Sequence, residues 1–151
     1  MGLPAVAVAV LNFNGKHHLK DCLDSLSRQS HRSYSVYVID NGSTDGSVDF
    51  VREEFPWVQV IAFDRNYGFA EAYNRAIKTL RFDFIALVNN DVAVDGEWLE
   101  KLVEQVLKDE SIAAWGSKIL LWGDRERLNH AGGKFTLIGA GYDVGWYEKD
   151  S

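Results

Sequence analysis

A single cysteine, Cys22, stands among 151 residues. That excludes an internal disulfide framework and suits a reducing compartment. Basic residues are in the minority, with 16 Lys and Arg against 22 Asp and Glu and a net charge of −6. No global positive field exists to draw nucleic acid to the chain. Nor does any apolar run approach the ~20 residues that cross a bilayer. The early run LPAVAVAVL is too short, and neither a basic stretch before it nor a small-residue cleavage site after it marks a signal peptide. It reads as a buried strand. Internal repeats, low-complexity tracts and linkers are missing too. What remains is ordinary for a globular domain, with 46% hydrophobic and 25% charged residues. A chain of this length can bury roughly 68–70% of its unfolded surface without staples.

Periodicity alternates between two patterns. Val6 to Phe13 is a continuous apolar run, as a parallel strand covered on both faces requires. Leu19, Leu23 and Leu26 follow at helical spacing. Tyr34 to Ile39, Val58 to Phe63 and Phe84 to Val88 predict three more strands. Between them lie helical stripes at Val48, Val51 and Phe55, then at Phe69, Tyr73, Ala76, Ile77 and Leu80. Asp95 is positioned to cap a helix carrying Trp98, Leu99, Leu102, Val103, Val106 and Leu107. Ile112 to Trp115 and Lys118 to Trp122 predict later strands. The expectation is an α/β fold, a doubly wound and mostly parallel sheet with helices on both faces. We read residues 1–151 as one domain, regular over 1–122 and glycine-rich and irregular over 123–151.

Ligands of open α/β sheets bind beyond the carboxyl ends of the strands. The predicted strand ends carry Asn12-Phe13-Asn14-Gly15, Asp40-Asn41-Gly42-Ser43-Thr44-Asp45, Asp64-Arg65-Asn66 and Asn89-Asn90-Asp91. Any one such cluster is ordinary turn chemistry. All of them together point to one polar ligand. Other nucleotide folds lack their signatures here: no GxGxxG follows the first strand, and no GxxxxGK[ST] is present. A phosphorelay receiver would place an acidic pair where this chain has Asn12 and Asn14. A zinc site is disfavoured, because His17 and His18 are adjacent and Cys22 has no partner.

The runs VAVLNFN and VIDNGSTDGS resemble the opening of the family 2 inverting glycosyltransferases, which have the GT-A nucleotide-sugar-binding, Rossmann-like fold. The resemblance continues through Asn66-Tyr67-Gly68-Phe69-Ala70, Asn74-Arg75-Ala76 and Leu87-Val88-Asn89-Asn90-Asp91. Leu128-Asn129-His130-Ala131-Gly132-Gly133 is similar to a segment of the rhamnosyltransferase-like branch. It covers essentially the whole chain in the family's order. The resemblance implies that Asn12, Phe13 and Asn14 lie beside the nucleotide and that Asp40 accepts a hydrogen bond from its base. Arg65 and Asn66 would reach the nucleotide, and Gly68 would allow close backbone approach, unless it is simply a helix entry. Asn89, Asn90 and Asp91 match the family's Asp-x-Asp position. The first acid is replaced by Asn89, which leaves Asp91 as the metal ligand for Mg²⁺ or Mn²⁺. The implied donor is a nucleotide-diphosphate sugar, a UDP- or TDP-sugar, and the implied acceptor a glycan or lipid-linked hydroxyl.

Inverting transfer also needs a base on the acceptor hydroxyl. In the family this is a carboxylate, often in a Glu-Asp pair, and no such pair follows Asp91. Asp143 is the nearest candidate, a loop acid is the alternative, and no base is assigned. Two readings therefore stand: a transferase of which this chain supplies the donor- and metal-binding half, or a nucleotide-sugar binding module without transferase activity of its own. Trp122, Tyr142, Trp146 and Tyr147 offer rings for a sugar or for ordinary packing. A locally basic stretch around Lys16, His17, His18 and Lys20, with Arg28, His31 and Arg32, is a solvated face or a contact for a diphosphate or an anionic membrane. The resemblance implies a cytoplasmic location, with room for peripheral contact at the membrane's cytoplasmic face.

Overall fold

The structure is a computed structural model and describes residues 2–109, 111–135 and 141–150, with side chains of 133–143 outside the description. Its contacts divide the chain into two compact units, Met1–Val103 and Glu104–Ser151. The first unit alternates β1 (Val6–Asn12), α1 (Lys16–Leu26), β2 (Tyr34–Asp40), α2 (Ser47–Glu54), β3 (Gln59–Ala62), α3 (Phe69–Ile77) and β4 (Phe84–Asn89). Helix α4 (Trp98–Lys108) follows. The strands form one parallel sheet in the order β3-β2-β1-β4.

Side chains alternate across a strand, and β1 uses both of its faces. Val6, Val8 and Val10 enter one apolar layer with Leu19, Leu23 and Leu26 of α1, Val51 of α2, and Leu99 and Val103 of α4. Ala9 faces the other layer with Ile39 of β2 and Tyr73 and Ala76 of α3, while Leu11 packs half-buried against them. The small Ala9 leaves room for the Tyr73 ring. Helices thus cover both faces, as the uninterrupted apolar runs predict.

Buried polar groups fix how α4 enters the first unit. Gln29 is fully buried: its amide donates to Asp95 O at 2.7 Å, and its oxygen accepts from Leu99 N–H at 2.9 Å. The Asp95 carboxylate accepts from Glu97 N–H at 3.0 Å, a turn just before α4 rather than a cap on the helix's own N–H groups. Among the described residues, every buried side-chain nitrogen and oxygen has a hydrogen-bond partner.

The order β3-β2-β1-β4 places a topological switch point between β1 and β4. The chain leaves β1 toward β2 and β3, then returns to pair β4 on the opposite edge of β1. The crevice beyond the carboxyl ends of β1 and β4 is where such sheets receive ligands.

The second unit differs from expectation. Residues 112–118 have no regular structure, although Ile112–Trp115 reads as a strand. Ala113, Ala114 and Gly116 supply neither β-branching nor bulk, and no strand among the described residues pairs with the segment. The predicted Lys118–Trp122 strand shrinks to β5 (Ile119–Leu120), antiparallel to β6 (Leu128–His130). A hairpin of β7 (Gly133–Phe135) and β8 (Gly141–Asp143) completes the described elements. Lys118 holds both Asp150 oxygens, at 2.8 and 2.7 Å. Among the described residues no helix is long and apolar enough to cross a membrane.

Candidate functional site

Asn12, the last residue of β1, has no exposed surface. Its amide nitrogen donates to the Asp40 carboxylate at 2.9 Å and to the Ser43 hydroxyl at 3.2 Å. Its amide oxygen accepts from Asn90 Nδ2 at 2.7 Å. Both ends of one amide therefore join the end of β2 to the end of β4. The register makes this possible, since Asn12 lies opposite Asp40 and Leu11 opposite Asn89. Asp40 is also buried, and its second oxygen accepts from Ser43 N–H at 2.9 Å. A carboxylate offers about four lone-pair directions, so capacity remains for a ligand donor.

The β1–α1 loop is pinned to the β2–α2 loop. Asn14 sits at φ 49°, a left-handed conformation in which asparagine is among the few tolerated side chains. Its N–H donates to the Ser43 hydroxyl at 2.9 Å, and its side-chain oxygen accepts from Thr44 N–H at 2.8 Å. Helix α1 has no cap of its own, and Asp45 serves instead by accepting from Lys16 N–H at 2.9 Å. Burial pushes the Asp45 carboxyl upward, but bonds from the Ser47 hydroxyl and from Lys16 and Ser47 N–H outweigh it and hold the group below its ordinary range. Phe13, between buried Asn12 and pinned Asn14, keeps its ring 48% exposed. A Cβ on Gly15 would collide with the Asn90 amide, so glycine is what lets α1 begin beneath β4.

Arg65 and Asn66 follow β3 and are exposed. The Arg65 guanidinium lies 4.9 Å from the centre of the Tyr67 ring and that of Arg75 lies 4.1 Å from it. Gly68, at φ 79° and ψ 177°, adopts a backbone that only glycine visits readily. No atom approaches within 4 Å of the place its Cβ would take. The position opens α3, and the empty space beside it leaves room for close approach of a ligand.

At the end of β4 the side chains of Asn89 and Asp91 are exposed and Asn90 is half-buried. The Tyr73 hydroxyl donates to Val88 O at 2.8 Å, tying α3 to this strand end. Cys22 Sγ donates to Asn89 O at 3.7 Å from below. Of the residues singled out in the sequence, Asn12, Asn14, Asp40 and Asn90 meet in one hydrogen-bonded network around Ser43. Arg65, Asn66 and Gly68 form a second cluster, and Asn89 joins neither by its side chain. The sequence places Ser43, Asp45 and Gly15 in the polar strand-end clusters without giving them a role, and Tyr73 only in a helical stripe. Their types are ordinary for turns and helices, and only tertiary contact reveals their partners.

Among the described residues no group of three His, Cys, Asp or Glu side chains converges. Asp91 is a single exposed carboxylate with amide neighbours Asn89 and Asn90. That set fits a hard cation whose other ligands are oxygens of a phosphate and water, and not a cation held by protein alone.

Burial, then the nearby Asp91 charge, push the Cys22 thiol up to about 12. Alkylation of the native chain at pH 8 is therefore expected to run at least about a hundredfold slower than in urea, because the thiolate is the reactive form. The shift is upward, so its stabilisation is intact below the unfolded thiol's value of about 8.5. It is lost as pH climbs toward about 12. Equal alkylation rates in the folded and unfolded chain would contradict this burial.

Residues 7–134 match Glycosyl transferase family 2. Over 145 residues the chain is 25% identical to an uncharacterized glycosyltransferase of Haemophilus influenzae, covering 94% of this chain and 42% of that protein. The chain thus spans less than half the length of that relative. Among solved structures, S. aureus TarS 1-349 in complex with UDP-GlcNAc superposes with a TM-score of 0.64 at 22% identity, over 70% of this chain and 32% of that one. The mannosyltransferase PcManGT from Pyrobaculum calidifontis, in complex with GDP-Man and Mn²⁺, gives 0.64 at 22% identity, over 80% and 36%. These likenesses carry the fold, a GT-A sheet. With the match spanning most of the sequence, the chain belongs to glycosyltransferase family 2.

Proposed function

We propose that this chain supplies the donor-binding part of an inverting glycosyltransferase that uses a UDP- or TDP-sugar. The observation that carries the reading is the convergence of Asn12, Phe13, Asp40 and Asn90 at the switch point between β1 and β4, with Asp91 beside them. The exposed Phe13 ring is a platform for a base. Asp40, fixed by Asn12 and Ser43, accepts the imide N–H of uracil or thymine. Arg65 and Asn66 face the same ligand from the end of β3. Asp91 would hold Mg²⁺ or Mn²⁺ through its carboxylate, with Asn89 and Asn90 beside it. Bound there, the cation supplies charge neutralisation for a departing diphosphate.

Support for a nucleotide-sugar donor comes from the ligands seen in TarS and PcManGT. The Leu128–Gly133 segment makes rhamnosyl transfer the first branch to test. The acceptor we propose is a hydroxyl of a glycan or lipid-linked precursor, reached on the cytoplasmic face where nucleotide sugars are made. We assign no base: the side chain of Asp143 lies outside the described residues. The lack of a Glu-Asp pair after Asp91, with the chain spanning 42% of its relative, keeps a binding module without independent transfer as the second reading.

Titration of the chain with UDP, TDP and GDP, with and without Mn²⁺, tests the proposal. Uracil and thymine nucleotides are expected to bind best, with Mn²⁺ tightening them. Asp91→Asn is expected to erase that metal-dependent gain, about tenfold in affinity for one lost ligand charge. Preference for GDP, or a Mn²⁺ effect that survives Asp91→Asn, defeats the assignment. Sugar transfer by this chain alone, in preference to mere release of nucleotide, would remove the second reading.

A further inference from the structure

The Asp40-Asn41 corner contains a residue that the reading above leaves without a role. Asn41 is buried at 3% exposure. Its amide nitrogen donates to Asn66 Oδ1 at 2.9 Å and to Gly68 O at 3.1 Å, and its amide oxygen accepts from Tyr67 N–H at 2.9 Å. An asparagine acting only as a turn former bonds backbone two residues on. These partners are 25 to 27 residues away. The side chain imitates a peptide group and continues the β2–β3 ladder after its last backbone bond, Phe63 N–H to Asp40 O at 2.8 Å.

We propose that Asn41 is a positioning residue for donor recognition, its amide locking the 66–68 loop so that Arg65 and Asn66 stay beside Asp40. The inference rests on the donor-site reading above. Two further contacts transmit the lock to Arg65. The Tyr67 N–H is held by Asn41, and the Tyr67 ring lies under the Arg65 guanidinium. Asn66 Oδ1 accepts both from Asn41 and from Gly68 N–H at 2.7 Å, so the Asn41 donor holds in place the oxygen on which the loop closes. The donor end of the amide is therefore the working end. A carboxylate of the same shape would keep the bond from Tyr67 N–H and set negative charge against Asn66 Oδ1 and Gly68 O.

The experiment compares Asn41→Asp and Asn41→Ala with the unsubstituted chain, reading UDP affinity in Mn²⁺ and amide hydrogen exchange. Asn41→Asp is expected to weaken UDP about tenfold, to lower protection at Gly68 N–H and to retain it at Tyr67 N–H. Asn41→Ala is expected to lose protection at both. Acidification should restore Gly68 protection in Asn41→Asp alone, since a protonated carboxyl regains a donor. A residue with a merely structural role would move Gly68 protection without moving UDP affinity. If both variants bind UDP like the parent, or Gly68 protection is unchanged in both, the positioning role is overturned. If the unsubstituted chain binds no nucleotide, the donor-site reading fails first and this inference falls with it.

Discussion

Gly42→Ala is expected to destabilise the chain by about 3 kcal/mol, combining ~1–2 kcal/mol for a left-handed residue with a Cβ and a steric penalty of ~1–3 kcal/mol. Gly42 sits at φ 80°. A Cβ there would lie 2.6 Å from Arg65 C, 2.7 Å from Arg65 Cα and 2.9 Å from Asn66 N. All three are backbone atoms, so no side chain can swing aside, and the loop after β3 must move as a unit. Gly68→Ala is the comparison, because it too has a positive φ, 79°, but with ψ 177° and nothing within 4 Å of its Cβ position. It should lose only the conformational part, ~1–2 kcal/mol. Urea unfolding of both variants checks the difference. Equal losses would show that contact with the Arg65 backbone contributes nothing.

Much of this arrangement was readable without coordinates. Apolar runs such as Val6–Val10 and Tyr34–Ile39 encode burial on both faces, and burial on both faces requires a parallel sheet with helices either side. The polar clusters mark the carboxyl edge of the sheet, since Asn, Asp and Gly collect where strands stop. The lesson fails in two places. At Ile112–Trp115 local hydrophobicity suggested a strand, yet a strand needs a partner to satisfy its N–H and C=O groups, and sequence does not show partners. At the site, residue types gave membership but not function within the network. Asn12 and Asn14 are two residues apart in one loop, yet one is sealed in the core and the other fixes a left-handed turn. Asn41 stands next to Asp40 in the motif, and its purpose depends on Tyr67 and Gly68, which lie far along the chain. Long-range hydrogen bonds leave no periodic trace.

The network makes a second large effect follow from one side chain. Asn12→Ala removes the donor to buried Asp40 and half-buried Ser43 and the acceptor for half-buried Asn90. Each polar group so stranded costs ~1–3 kcal/mol, which places the total loss near 3 kcal/mol once partial relaxation is allowed. Nucleotide binding should fall together with stability, because Asp40 and Asn90 lose their common anchor. Asn12→Asp separates shape from chemistry. It keeps the volume but sets a carboxylate where an N–H now lies 2.9 Å from Asp40 Oδ2. Two buried carboxylates at that spacing cannot both ionise, so one is held protonated above its ordinary range. The sign then follows: a raised carboxyl is stabilising below the unfolded value of about 4 and becomes a liability as pH rises through its folded value. The Asn12→Asp deficit relative to the parent should therefore shrink as pH falls from 7 toward about 4. The Asn12→Ala deficit should shrink less over the same range, since Asp40 there loses one donor but faces no second carboxylate. Chemical denaturation across that range reads both, and parallel pH profiles for the two variants would mean that the Asn12 amide and Asp40 are not coupled.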